Sequence, residues 1–161
     1  MEPEPTALFV YGTLKRGRFN HPLLAPYARA VEPASIRGEL YDVGLYPALV
    51  AGEGTVRGEL VRLAAPDLSR VLTILDWLED YRPGDEERSM YLRRVIEVHT
   101  ANGARERAYA YFYNRDVASL PRIAGGEWPG PTEEPVAGDG AGDSAERAAF
   151  ERHVRTFQAK L

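Results

Sequence analysis

Residues 75–81, LDWLEDY, place Asp76, Glu79 and Asp80 at the end of a helical pattern that begins near Pro66. Taking Leu68 as zero and about 100° per residue, Val71 falls near 300°, Leu72 near 40°, Leu75 near 340° and Leu78 near 280°. On the same wheel Glu79 falls at about 20°, inside the apolar stripe, whereas Asp76 at about 80° and Asp80 at about 120° move to its edge and beyond. A carboxylate aimed at a core is rare unless it is paired or used. A helix C-terminus carries partial negative charge, so burial and the neighbouring acids both push the pKa of Glu79 upward. A raised carboxyl near neutral pH can take up and return a proton. The bland alternative is an ion pair with Arg82 or Arg93, or a last turn that unwinds and rotates Glu79 away.

A second stretch could recognise charge. The apolar run ALFVY, residues 7–11, ends at Gly12, and Lys15, Arg16 and Arg18 follow. Successive free N–H groups after a strand can form an anion-binding concavity, and a glycine there allows close approach to the backbone. An ordinary strand end followed by a solvated basic loop is the alternative. Gly12 and Gly17 have P-loop spacing, but Arg18-Phe19 stands where Lys-Ser or Lys-Thr is required. No serine lies in G-x-S-x-G. His21, His99 and His153 show no metal-ligand spacing, so no metal site is expected.

These residues must be held by a mainly β scaffold. Besides 7–11, strand patterns cover 37–43, 56–63, 91–99 and 106–113, and the last two flank an Asn-Gly turn signal. In the final strand Tyr109, Tyr111 and Tyr113 share one face, with Ala108, Ala110 and Phe112 on the other. Short strands so spaced predict an antiparallel, barrel-like sheet. Helices are expected over 66–80, opening on proline, and over 144–160, where Asp143 and Glu146 have capping-box spacing. Between them, 129–143 has Gly or Pro at seven of fifteen positions and reads as a flexible linker. The terminal helix, 144–161, could dock on its own body or on a second copy. The class is therefore α+β, a small mixed, mainly antiparallel β-barrel with flanking helices; residues 1–128 form the domain.

Composition narrows the function. The chain has 161 residues, 44% hydrophobic and 27% charged, enough for one domain with a real core. A net charge of −4 argues against nucleic acid as partner. The absence of cysteine removes thiolate nucleophiles and Cys-based zinc sites. The start, Met-Glu-Pro-Glu-Pro, is unlike a secretion signal, and no apolar run is long enough to span a bilayer. A cytoplasmic protein without a membrane partner is expected.

Five segments in order, FVYGTLKRGRFNH (9–21), GELYDVGLYPALV (38–50), VRGELVRL (56–63), LDWLEDY (75–81) and MYLRRVIEV (90–98), resemble the gamma-glutamylcyclotransferase-like superfamily. The resemblance is to its branch of gamma-glutamylamine cyclotransferases and AIG2-like proteins, with AGGEW (124–128) a weaker continuation. It implies a small barrel with helices around it and cyclisation of a gamma-glutamyl amine or amide to 5-oxoproline, with neither metal nor cofactor. It further implies that the backbone of Tyr11, Gly12, Thr13 and Leu14 binds the glutamyl group and that Glu79 is the general acid/base. Tyr41, Tyr46, Tyr91 and Tyr113 are candidate walls of the pocket, although for each taken alone core packing outweighs ligand contact, since aromatics chiefly bury area. Two departures bear on the site. The segment RPGDEERS (82–89) is a long polar connection, and Asp80 stands where relatives often carry a small residue.

Two other readings remain open: a binding module that keeps the pocket without turnover, and an interaction protein acting through its terminal helix, by which a homo-oligomer could form. The resemblance ends before the last thirty or so residues and says nothing of them.

Overall fold

The computed structural model describes residues 3–131. The linker beyond 131 and the expected helix at 144–161 lie outside the described residues. Five strands close into a barrel: β1 (Ala7–Val10), β2 (Ala28–Asp42), β3 (Pro47–Leu63), β4 (Tyr91–Thr100) and β5 (Arg105–Tyr113). Their order around the barrel is β1-β3-β2-β4-β5. Every junction is antiparallel except the closing one, where β1 runs parallel to β5 at Leu8 and Tyr109. The mixed, mainly antiparallel barrel expected from sequence is what the chain forms. Among the described residues a single α-helix, α1 (Leu68–Leu78), flanks it, preceded by a 3-10 turn at Ala65–Asp67.

β1 explains why its sequence is an unbroken apolar run. Ala7, Phe9 and Tyr11 join the cluster inside the barrel, and Leu8 and Val10 join a second cluster under α1. A strand covered on both faces has no polar side to show. The helix closes that second layer with Leu68, Val71, Leu72, Leu75 and Leu78. Each such burial is worth roughly 1.5–3 kcal/mol, so this stripe fixes the rotation of the helix and of whatever follows it. β5 alternates as its sequence predicts, Ala108 and Ala110 inward and Tyr111 towards the helix layer.

Two elements are longer than their patterns suggest. β2 begins at Ala28 rather than near Arg37, although it contains Pro33. Pro33 pairs with Glu59 of β3, while the β4 pairing on the other edge is confined to Ala34 and Ser35. Proline therefore costs no ladder bond on the β4 side. β3 begins at Pro47, and a register shift between Arg37 and Glu39 of β2 sets Thr55 and Val50 as their respective partners. Trp128, after the last strand, is 1% exposed and fills the barrel interior. The chain is tied there by the Arg57 N–H donating to the Gly126 carbonyl at 2.7 Å.

Candidate active site

The apolar stripe of α1 places Glu79 at its C-cap, immediately after Leu78. The helix stops by a Schellman arrangement. The Tyr81 N–H donates to the Asp76 carbonyl at 2.9 Å and the Asp80 N–H to that of Trp77 at 3.3 Å. Asp80 takes the left-handed conformation this needs, with φ of 54°. Glycine is the usual residue at such a position, since other side chains are strained there. Asp80 is 2% exposed, and Arg82 Nε donates to its carboxylate at 3.1 Å. The Met90 N–H then donates to the Asp80 carbonyl at 2.9 Å. The connection after the helix is thus anchored: Ser89 is buried and its Oγ accepts from the Arg82 N–H at 2.8 Å.

Glu79 lines a small cavity with Tyr11, Tyr46, Tyr91 and Tyr111, next to Gly12, Thr13 and Leu14. Each phenol donates elsewhere. Tyr11 donates to the Tyr111 carbonyl (2.5 Å), Tyr91 to the Pro47 carbonyl (2.9 Å), and Tyr111 to Asp76 (2.7 Å). Tyr46 points its hydroxyl at the Met90 sulfur, 3.7 Å away. Among the described residues no hydrogen bond or ion pair reaches the Glu79 carboxylate. Arg82 and Arg93, the partners its sequence position allows, are bound to Asp80 and Asp76 instead.

Burial without a partner disfavours the ionised form, and it pushes the Glu79 carboxyl up to about 8. The neighbouring acids, expected to add to this shift, are matched by those arginines. Burial also raises the phenols, Tyr46 to about 12 and Tyr11, Tyr91 and Tyr111 well upward. Negative charge on Glu79 contributes to all four shifts. The rings therefore stay neutral.

The turn after β1 is braced through its carbonyls. The Lys15 N–H donates to Gly12 (3.1 Å), the Asn20 N–H to Thr13 (2.9 Å), and His21 Nδ1 lies 2.9 Å from the Leu14 carbonyl. The carbonyl accepts, so Nδ1 carries the proton. Asn20 also donates to the Thr13 hydroxyl at 2.9 Å. None of these bonds uses the N–H groups of Gly12, Thr13 or Leu14. Gly12 itself is demanded by packing: a Cβ there would lie 2.8 Å from Pro47 Cδ. Gly12 and Pro47 both line the cavity.

The remaining candidates separate. Tyr113 does not line the cavity; its ring meets Tyr91 edge-on at 5.4 Å and buttresses it. Tyr41 is not among the cavity walls; it lies in β2 opposite Ala48, with a bridge to Arg122. Tyr111 and Pro47 are wall residues that the sequence does not single out, although the shared face of Tyr109, Tyr111 and Tyr113 hinted at the first. Among the described residues no group of three or more His, Cys, Asp or Glu side chains is placed to hold a metal ion. No helix among them is long and apolar enough to cross a membrane.

Comparison with known proteins agrees with this architecture. The family model described as "Gamma-glutamyl cyclotransferase, AIG2-like" matches residues 8–130. The chain is 34% identical over 110 residues to the gamma-L-glutamyl-butirosin B gamma-glutamyl cyclotransferase of Niallia circulans, covering 68% of this chain and 67% of that one. It is 34% identical over 122 residues to the gamma-glutamylcyclotransferase family protein YtfP of Escherichia coli K12, covering 75% and 94%. The solution structure of E. coli YtfP superposes with a TM-score of 0.54 at 33% identity, over 76% of this chain and 96% of that one. The crystal structure of YkqA from Bacillus subtilis gives 0.57 at 29% identity, over 78% of this chain but 40% of the longer YkqA. The chain belongs to the gamma-glutamyl cyclotransferase, AIG2-like family.

Proposed function

We propose that this protein cyclises a gamma-glutamyl amine or amide to 5-oxoproline and releases the amine, with Glu79 as general base and then general acid. The observation that carries the reading is the partly buried, unpartnered Glu79 carboxyl, raised to about 8 and lining one cavity with the turn Gly12, Thr13 and Leu14. The substrate's α-ammonium supplies the missing cation, so binding favours the ionised carboxylate. Glu79 takes one proton from that ammonium, and the freed amine nitrogen attacks the γ-carbonyl carbon. Negative charge moves to the carbonyl oxygen, where backbone N–H donors of the turn can receive it. When the C–N bond to the leaving group breaks, Glu79 returns the proton to the departing nitrogen. The attacking nitrogen sheds its second proton as the lactam forms, and the released amine takes it up and leaves as an ammonium, so atoms and charge balance without a further reactant. Nucleophile and electrophile belong to one molecule, so the site chiefly has to fold it and exclude water.

The cavity is small, and phenols form much of its wall. Tyr46 is the member carried on a turn, between β2 and β3, and Met90 receives its hydroxyl. Tyr11, Tyr46, Tyr91 and Tyr111 would surround the substrate, with Tyr113 behind them.

The test is release of 5-oxoproline from a panel of gamma-glutamyl amines and gamma-glutamyl dipeptides. Turnover of at least one member is expected, and the panel ranks the amine. Binding of the panel without any 5-oxoproline would replace this reading with a non-catalytic metabolite-binding module.

A further inference from the structure

A larger cleft lies on the other side of the same turn. It encloses about 530 Å³ between the loop carrying Lys15, Arg16 and Arg18 and the strand residues Ser35, Arg57 and His99. Its charges are unevenly matched. Arg16 is held by Glu59, through its N–H at 2.7 Å and its Nε at 3.2 Å. The Arg18 guanidinium lies over the Trp128 ring, 5.2 Å from its centre. Lys15 and Arg57 have no carboxylate within ion-pair distance among the described residues.

Lys15 is half-buried, and burial pulls its pKa below the ordinary value, with Arg18 adding to the effect. Glu127 and Glu59 also line the cleft, and both oppose the shift without reversing it. An ammonium partly removed from water and lacking a counter-ion recovers its lost solvation when an anion arrives. Arg57 projects from β3 at the position paired with Ser35, and Ser35 pairs in turn with His99 of β4. A guanidinium in that setting offers a fork that fits two oxygens of one oxyanion. The cleft is concave and of the size that small ligands occupy.

We propose that this cleft is a second binding site, for a small ligand bearing two or more negative charges on phosphate or carboxylate oxygens, held by Lys15 and Arg57. The loop from Tyr11 to Arg18 is the common wall of this cleft and of the Glu79 cavity, but occupancy of the cleft requires no turnover.

Isothermal titration calorimetry of the full chain tests this with pyrophosphate in one arm and citrate in the other, at matched ionic strength in sodium chloride. A saturable isotherm with Kd below about 1 mM is expected in at least one arm. The tighter arm identifies whether phosphate or carboxylate is preferred. Arg57 is exposed, so Arg57→Ala folds as the native chain does. It should weaken binding about tenfold or more, as should Lys15→Gln, whereas Arg29→Ala, an exposed arginine outside the cleft, should not. Absence of heat above dilution in both arms up to about 10 mM would overturn the proposal. So would equal affinity of Arg57→Ala and the native chain.

Discussion

Arg93 meets the Asp76 carboxylate at 2.5 Å, one helical turn before Glu79. Asp76 also accepts from the Tyr111 hydroxyl at 2.7 Å. Tyr81 and Tyr109 each place a ring centre 5.4 Å from the same guanidinium. Arg93 is thereby held to Asp76, and Glu79 is left with four phenols that donate elsewhere. Burial raises the carboxyl, and the pairing of the neighbouring charges leaves no cation to offset it.

That pairing predicts pH shifts of opposite sign. The kcat/KM of the free enzyme should rise through a pKa near 8 as Glu79 ionises. It should fall again where the substrate ammonium loses its proton. Asp76→Asn removes a negative charge three residues away and should move the ascending limb to lower pH by about 0.5–1 unit. Arg93→Gln removes a positive one and should move it up by a similar amount. Shifts of the same sign in both variants would contradict this electrostatic account.

Stability should show the cost of the same arrangement. Glu79 holds its proton to about 8 in the folded chain, against 4.5 for an ordinary carboxyl. Below that ordinary value the group is neutral in folded and unfolded chains alike. As pH rises from there to about 8, the unfolded chain gives up the proton first, so stability falls. Glu79→Gln removes this dependence. At pH 4 the variant should match the native chain, and at pH 9 it should be more stable by about 2–3 kcal/mol. That figure takes about 1.4 kcal/mol per pH unit and discounts it for partial exposure. Urea unfolding of both proteins at the two pH values measures the difference.

Gly12 carries a separate expectation. Gly12→Ala would drive a methyl into the Pro47 ring, at 2.8 Å from Cδ and 2.9 Å from Cγ. Overpacking of this kind costs typically 1–3 kcal/mol. The displaced Pro47 carbonyl is the acceptor of Tyr91, so the variant should also lose activity. Thermal unfolding should show the loss. A variant as stable as the native chain would mean that Pro47 yields freely.

What was legible in the sequence follows from which forces act locally. The 3.6-residue period of α1 is a strong signal because five buried side chains enforce it, and it aims Glu79 correctly. β1 is legible because both of its faces are buried. The parts that escape are set by distant neighbours. Nothing local says that Pro47 packs closely on Gly12, or that Trp128 returns to occupy the barrel. Asp80 reads only as a departure from the small residue that relatives often carry. Its left-handed backbone ends the helix, and its carboxylate anchors Arg82. The segment 82–89 reads as a long polar connection, yet Ser89 is fully buried at its base and Asn114 donates to the Ser89 carbonyl at 3.0 Å. His21 has no motif to mark it, because its brace on Leu14 exists only once the turn has folded back.

The most direct test of the account compares 5-oxoproline release by the native chain and by Glu79→Gln at pH 8, on the substrate the panel selects. The account predicts a loss in kcat of about 10²–10⁴-fold in a variant that remains folded, the range expected when a positioned acid/base is removed. Activity within a few-fold of the native chain would show that the proton is carried by another group.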